Sequence, residues 1–185
     1  MRNLIYAINL TIDGCFDHTS MIANEELLEY FAGLLRDADL IVYGRKTYQL
    51  MVPYWPDVAK NPIGAKKADF EFALAFESVN KIVFSRTLDM AEGTNTRIVR
   101  DNLQDEILKL KQEQGKDILV GGVTLPSQLI AMGLVDEFLL VVHPIIAGKG
   151  KRLMEDIELH EKLKLRLVDS KIFKSGCVAH HYLKQ

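Results

Sequence analysis

The fold class of this chain is predicted from the segment Leu40-Ile41-Val42-Tyr43-Gly44-Arg45-Lys46-Thr47. Its first four residues form a continuous apolar run, which is typical of a β-strand buried on both faces of a sheet. Gly44 ends the run, and two cations and a threonine follow it where a short helix is predicted to begin. A buried strand that leads into a helix is the repeating unit of α/β proteins with a parallel sheet.

The same pattern recurs on both sides of this stretch. Further runs, apolar throughout or apolar after a charged first residue, predict strands at residues 4–8, 81–84, 97–99 and 117–120. Helices are predicted at residues 24–37, 66–76 and 126–132, and between an N-cap at Asp101 and a stop at Gly115. The proline-marked residues 52–62 are predicted to form a loop. This alternation demands right-handed crossovers and a parallel sheet covered on both faces.

The C-terminal part of the chain departs from the alternation. Strands without intervening helices are predicted at residues 135–142, 163–168 and 177–183. They indicate antiparallel additions to the mostly parallel sheet. Since no linker, repeat or charge block divides the 185 residues, we expect a single α/β domain over residues 1–185.

Composition excludes several classes of partner and site. The formal net charge of −2 offers no large basic field for nucleic acid or an anionic membrane. Cys15 and Cys177 are the only cysteines, so neither a disulfide framework nor a cysteine-based zinc site is expected. No metal site is predicted. The N-terminus lacks the features of a signal peptide, and we expect a cytoplasmic protein.

Three predicted strand exits carry residues suited to a phosphorylated ligand. They are residues 44–47 (Gly-Arg-Lys-Thr), 85–86 (Ser-Arg) and 121–124 (Gly-Gly-Val-Thr). In open α/β sheets ligands bind at the carboxyl ends of the strands, where backbone N–H groups and guanidinium groups can hold phosphates. Taken singly, each exit also has a structural explanation, which is a tight turn for the glycine pair and a solvated surface charge for Arg45 or Arg86. The Gly-x-Gly-x-x-Gly and Walker A patterns are absent.

The chain resembles a known superfamily at these residues. Residues 42–48, 81–86 and 118–122 are similar to three segments of dihydrofolate reductases, in the same order and at the same spacing. Residues 8–14 and 143–150 resemble loops of the related reductase domain of riboflavin biosynthesis, with Thr11 where serine is usual. The resemblance covers almost the whole chain. It is closest to the small bacterial proteins that consist of one riboflavin-reductase-like domain.

This resemblance implies a dihydrofolate reductase-like three-layer α/β/α fold with NADPH as hydride donor. It assigns the cofactor to Ala7, Ile8, Gly44, Arg45, Lys46, Thr47, Ser85, Arg86, Gly121, Gly122, Val123 and Thr124. Ala7 and Ile8 would lie near the nicotinamide, and Arg45 and Arg86 would favour the 2′-phosphate of NADPH over NADH. The resemblance also implies a homodimer, with the C-terminal strands as the expected contact.

One departure from the folate reductases concerns the substrate. Those enzymes carry a carboxylate on the first long helix, facing the pterin, whereas the matching positions here are Leu27 and Leu28. The nearby glutamates point away from the apolar stripe at 100° per residue. Asp13 is the only acid at the exit of the first strand, which makes it a weak catalytic candidate. Its alternative role is that of a turn residue beside Gly14.

Two further features each have a functional and a structural interpretation. His18 either touches the substrate or lies in a solvated loop. Trp55, with Tyr48 and Tyr54, either walls a flat pocket or anchors a loop on the sheet.

The sequence therefore predicts an NADPH-dependent reductase that acts on a pterin- or pyrimidine-type heterocycle. Because a carboxylate in the folate reductase position is missing, the alternative is a nucleotide-binding module of the same fold without turnover. A flavodoxin-like protein that binds flavin is a weaker third possibility.

Overall fold

The computed structural model describes residues 1–17, 19, 21, 24–92, 95–155 and 157–185, so His18 lies outside the described residues. The strands are β1 (Leu4–Thr11), β2 (Ala38–Gly44), β3 (Asn80–Phe84), β4 (Thr96–Val99), β5 (Asp117–Val120), β6 (Glu137–His143), β7 (Leu165–Ile172) and β8 (Val178–Lys184). The helices are α1 (Glu25–Asp37), α2 (Arg45–Met51), α3 (Tyr54–Lys60), α4 (Lys67–Ser78), α5 (Leu103–Gln112) and α6 (Thr124–Ala131).

The strands form one sheet in the order β4-β3-β2-β5-β1-β6-β8-β7. All neighbours from β4 to β6 are parallel. β8 pairs antiparallel with both β6 and β7. The predicted mostly parallel sheet with antiparallel C-terminal strands is therefore confirmed.

Helices cover both faces of the sheet, as parallel strands require. On one face, apolar side chains of α1 and α4, such as Leu35 and Phe76, pack against Ile41 and Val83 of the sheet. On the other face, a second cluster joins α5 and α6 to the strands and includes the fully buried Tyr6 of β1. The result is the predicted three-layer α/β/α arrangement.

The prediction of a loop at residues 52–62 is wrong, because α3 lies inside it. Pro53 precedes this helix and Pro56 lies in its first turn, where backbone N–H groups have no partner within the helix. The prolines therefore start a helix here instead of preventing one. Trp55 packs on Phe72 of α4 with ring centroids 4.4 Å apart, so it anchors α3 on the neighbouring helix.

The predicted N-cap of α5 is also wrong by one residue. Asn102 precedes the helix in the left-handed conformation, at φ 55° and ψ 48°. The carboxylate of Asp101 is exposed and lies 3.8 Å from the Arg86 guanidinium instead. A short polar residue such as asparagine tolerates the left-handed region better than most residues, which explains the choice at this position.

Candidate functional site

The strand pairing leaves a gap at the carboxyl edge of the sheet between β1 and β2, which we call the cleft. The strand between them, β5, pairs with both but ends at Val120, opposite Tyr6 of β1 and Val42 of β2. β1 runs on to Thr11 and β2 to Gly44, so the two strands flank the space beyond the end of β5. The helix after β1 covers one face and the helix after β5 covers the other. Such a switch point is where open α/β sheets bind ligands.

Two glycines form the floor of this cleft. The N–H of Gly121 donates to the Val42 carbonyl at 3.2 Å, and the Tyr6 hydroxyl donates to the Gly122 carbonyl at 3.0 Å. Gly122 has φ +90°, and a Cβ on it would clash with Oγ1 of Thr47 in α2. The loop after β5 and the first turn of α2 are therefore in direct contact. Because neither glycine carries a side chain, a pyrophosphate could approach the backbone closely at this pair.

The predicted cofactor residues nearest to this floor are also at the cleft. Gly44 ends β2 directly before α2, and a Cβ on it would stand 3.7 Å from Leu125 of α6. Val123 and Thr124 follow the glycine pair, and α6 begins at Thr124. The structure therefore brings the second and fifth strand exits together.

The edge of β1 that extends beyond β5 lines one wall of the cleft. Its ladder to β5 stops at Tyr6, whereas its ladder to β6 continues to Thr11. Ala7 is half-buried and lies on the α1 face of the sheet, since residues alternate along a strand. Ile8 points into the core on the opposite face. Of the two residues assigned to the nicotinamide, Ala7 offers side chain and backbone to the cleft, and Ile8 offers only backbone.

Exposed cations follow the ends of β2, β3 and β4. Arg45 and Lys46 begin α2 and are exposed. Arg86 follows β3, and its side chain is 85% exposed. Arg100 follows β4, and its Nη1 donates to the Arg86 carbonyl at 3.2 Å. Because these strands are neighbours, Arg45, Lys46 and Arg86 follow adjacent strand ends along one edge of the sheet, and Arg100, which was not predicted, lies beside Arg86.

Ser85 has a local structural role at the same edge. Its hydroxyl accepts hydrogen bonds from the N–H groups of Thr87, at 3.2 Å, and Leu88, at 3.0 Å. Its own N–H donates to the Val99 carbonyl at 3.0 Å. These bonds fix the turn that directs Arg86 outward.

Asp13 connects two loops beyond the ends of β1 and β6. Its carboxylate accepts from the Thr11 hydroxyl at 2.6 Å and from the N–H groups of Ala147, at 3.0 Å, and Gly148, at 2.9 Å. Arg152 adds a cation 3.8 Å away. The hydrogen bond from Thr11, and next that from Ala147, hold the pKa of Asp13 far below its usual range. The ionised carboxylate of Asp13 therefore holds the two loops together by hydrogen bonds.

The sheet-facing side of α1 is apolar. Asn24 caps this helix as predicted, accepting from the Leu27 N–H at 2.9 Å. Leu27 is buried against Val141 and Phe173, and Leu28 is half-buried. The three glutamates of the first turns lie elsewhere: Glu25 and Glu29 are exposed, and Glu26 accepts from the Lys174 N–H at 2.9 Å. Within the described residues, α1 therefore presents no carboxylate to the cleft.

A buried polar chain behind the cleft was missed by sequence reasoning. Nε2 of His143, a residue only 1% exposed, lies 2.9 Å from Oδ1 of Asn9 on β1. Its Nδ1 lies 3.5 Å from Sγ of Cys177, which is fully buried. Burial lowers the pKa of His143. The available signal was Asn9 itself, a polar residue that interrupts an otherwise apolar strand.

The described part of the chain contains neither a metal-binding cluster nor a membrane-spanning helix. No group of three or more His, Cys, Asp or Glu side chains is placed to hold a metal ion. No helix there is long and apolar enough to cross a bilayer.

Comparison with known proteins identifies the family. The sequence model of the RibD C-terminal domain matches residues 2–179. The chain belongs to the RibD C-terminal domain family. The uncharacterized protein YyaP of Bacillus subtilis (strain 168) is 34% identical over 181 residues, which span 96% of this chain and 92% of that protein.

Solved structures agree with this RibD C-terminal domain assignment in their fold. A protein assigned to riboflavin biosynthesis in Shewanella sp. PV-4 superposes with a TM-score of 0.74 at 19% identity, covering 100% of this chain and 99% of that one. A pyrimidine reductase-like protein of Corynebacterium diphtheriae has a TM-score of 0.66 at 16% identity, covering 100% and 92%. The RibD C-terminal domain described here therefore has the dihydrofolate reductase-like α/β fold that the resemblance implied.

Proposed function

We propose that this protein is an NADPH-dependent reductase of a pyrimidine- or pterin-type heterocycle. The observation that carries the proposal is the cleft beyond the end of β5, with its bare Gly121-Gly122 floor and the cations at the neighbouring strand ends. Membership of the RibD C-terminal domain family also supports a reductase function. The substrate would be a small heterocycle, with neither nucleic acid nor membrane as partner, and the location cytoplasmic.

The residues of the cleft fit a phosphorylated dinucleotide. Backbone groups of residues 121–124 and the side chains of Arg45, Lys46 and Thr47 would contact the phosphates. Arg86, with Ser85 fixing its turn, would meet the 2′-phosphate of NADPH, which NADH lacks. The edge of β1 that is not paired with β5, at Ala7 and Ile8, would take the nicotinamide. The cofactor, when bound, supplies the hydride, and the protein supplies position and exclusion of water.

Asp13 is proposed as a positioning residue in this reaction. Its carboxylate is occupied by donors from two loops and is held ionised, so it has no proton to give near neutral pH. The proton that accompanies hydride transfer to a C=N bond would come from water. Asp13 would instead keep the loop at residues 145–148 beside the mouth of the cleft.

We further propose a homodimer formed through the C-terminal strands. β7 is an edge strand of the sheet, and all its residues except Leu165 are exposed. The exposed set includes the apolar side chains of Leu167, Val168 and Ile172. An exposed apolar edge favours pairing with a second copy. Light scattering at micromolar concentration should give about twice the 21.0 kDa chain mass.

One observation favours a second candidate, a nucleotide-binding module without turnover. The sheet-facing side of α1 carries no carboxylate among the described residues. Two measurements separate the candidates. Quenching of Trp55 fluorescence should report NADPH binding at micromolar concentration and weaker NADH binding, and absorbance at 340 nm should report NADPH oxidation with pyrimidine and pterin substrates. Binding without oxidation across the panel would favour the module, and no binding below millimolar would overturn both.

A further inference from the structure

The cleft contains one side chain whose polar atoms are divided between the protein interior and the ligand space. Asn9 lies on the α1 face of β1, two residues beyond Ala7 and past the end of β5. Its Oδ1 is engaged by His143 at 2.9 Å. Its Nδ2 makes no hydrogen bond to any described residue, and the side chain is half-buried, not sealed. The amide therefore has a donor available for a bound molecule.

The orientation of this amide is set from behind by His143. A side-chain carbonyl oxygen can only accept, so the proton between the two residues belongs to Nε2 of His143. In the neutral ring Nδ1 is then an acceptor, which suits the thiol of Cys177 at 3.5 Å as a weak donor. A ring that is 1% exposed favours the neutral form. The two interior contacts thus agree on one tautomer and on one orientation of Asn9.

We propose that Asn9 is a specificity-determining residue of the cleft, and that His143 is the positioning residue that holds its N–H groups toward the substrate. This inference rests on the proposed function, because it concerns the ring that the reductase would bind. The N–H group of Asn9 can donate a hydrogen bond to a ring carbonyl. Opposite a ring amino group, which is itself a donor, it is left unpaired. The site would therefore prefer a heterocycle with carbonyl oxygens over one of equal size with amino groups in their place.

An apolar side chain on the same face of the sheet strengthens this preference. Leu28 of α1 is half-buried there and offers no acceptor for a ring amino group. A ring amino group placed there would lose its hydrogen bonds to water without replacement. A ring carbonyl beside Asn9 would keep one.

The test compares two pyrimidines of the same size, 5,6-diaminouracil and 2,4,5,6-tetraaminopyrimidine. Calorimetric titration of the full chain, saturated with NADP⁺ to prevent turnover, gives both dissociation constants at a pH where both rings are neutral. We expect about tenfold tighter binding of 5,6-diaminouracil, which corresponds to about 1.4 kcal/mol. Equal affinity, tighter binding of the tetraamino ring, or binding of neither ring would overturn the inference.

Asn9→Asp is the decisive variant, since it replaces the donor by an acceptor of the same shape. We expect the affinity ratio to fall more than tenfold, so that the tetraamino ring becomes preferred. Asn80→Asp introduces the same charge at the opposite edge of the sheet and should leave the ratio unchanged. An unchanged ratio in Asn9→Asp would contradict the assignment.

The role of His143 has its own readout. His143→Gln keeps an N–H donor for Asn9 and should retain the ratio, whereas His143→Leu should bring it toward one. A residue needed only for folding would lower the melting temperature without changing the ratio between two rings. Titration of the wild-type protein with NADP⁺ alone separates this inference from the proposed function. If NADP⁺ does not bind but the protein still distinguishes the two rings, the proposed function is overturned and the role of Asn9 is not.

Discussion

Thr47 Oγ1 occupies the space beside Gly122 that a side chain at position 122 would need. The contact joins α2 to the loop after β5, two segments that are 75 positions apart in the chain. Because Gly122 also has φ +90°, both its backbone conformation and its surroundings exclude a larger residue. The floor of the cleft is therefore bare backbone for a steric reason.

Gly122→Ala should destabilise the protein and weaken NADPH binding together. The clash and the positive φ should each cost about 1–3 kcal/mol, measured by urea unfolding. Adding Thr47→Ala removes the nearest atom and should recover part of the loss, since the backbone strain persists. Gly33→Ala in α1, where a Cβ meets nothing within 4 Å, is the matched control and should be neutral or stabilising. Equal unfolding curves for Gly122→Ala and the wild type would contradict the steric argument.

Asp13→Asn should lower stability at neutral pH, and this difference should shrink in acid. The carboxylate of Asp13 has a depressed pKa in the folded state because Thr11 and the Ala147 N–H donate to it. Its contribution is therefore complete above the unfolded pKa of about 3.9 and is lost as the pH falls toward the folded value. Urea unfolding of both proteins at pH 7 and pH 3 measures the effect. A gap that widens at pH 3 would show that the sign is wrong.

Lys81 gives a prediction at the alkaline end. It is 2% exposed, its Nζ donates to the carbonyls of Phe76, at 2.7 Å, and Val79, at 3.0 Å, and burial lowers its pKa to about 8. Between that value and the unfolded pKa of about 10.4 the unfolded chain holds more protons, so stability rises with pH. Between pH 7.5 and pH 10, the free energy of unfolding of the wild type should rise by on the order of 2 kcal/mol relative to that of Lys81→Met.

The comparison with Lys81→Met removes the other groups that titrate in this range, because both proteins share them. Urea unfolding at the two pH values gives the difference. A constant difference would mean that Lys81 titrates in the folded protein as it does in the unfolded chain.

Arg86→Gln should reduce the preference for NADPH over NADH. The Arg86 guanidinium is exposed at the end of β3, with Asp101 3.8 Å away as a weak partner that a phosphate would outcompete. We expect NADPH affinity to fall about tenfold or more, or about 1.4 kcal/mol, with NADH affinity unchanged. Arg166→Gln on β7 removes the same charge at the far edge of the sheet and should change neither. Fluorescence titration with both cofactors measures the two affinities. An equal loss of affinity for NADPH and NADH would place Arg86 away from the 2′-phosphate.

The strands and the layer order could be predicted because their signals are local. Apolar runs such as residues 40–43 and 118–120 mark buried parallel strands, and the observed β2 and β5 contain them. The errors arose where one local signal had two structural solutions. Prolines near residues 53–56 break a helix or begin one, and the packing of Trp55 on Phe72 decided for a helix.

The candidate site was predictable only in part. The glycine pair and the cations stand at strand ends, so their positions at one edge follow from a parallel sheet. The chain Asn9–His143–Cys177 does not, because its members come from β1, β6 and the turn before β8. No spacing rule connects residues 9, 143 and 177, and their contact depends on which strands become neighbours.

Hydrophobic periodicity and turn chemistry act over a few residues, so local sequence is enough to specify a mostly parallel α/β sheet with its polar strand exits along one edge. What faces the cleft depends on contacts between distant parts of the chain. The strand order puts the short β5 between the longer β1 and β2, which opens the cleft, and it seats His143 behind Asn9. Those relationships arise from long-range pairing, where burial of whole strands selects neighbours that the local sequence leaves undefined.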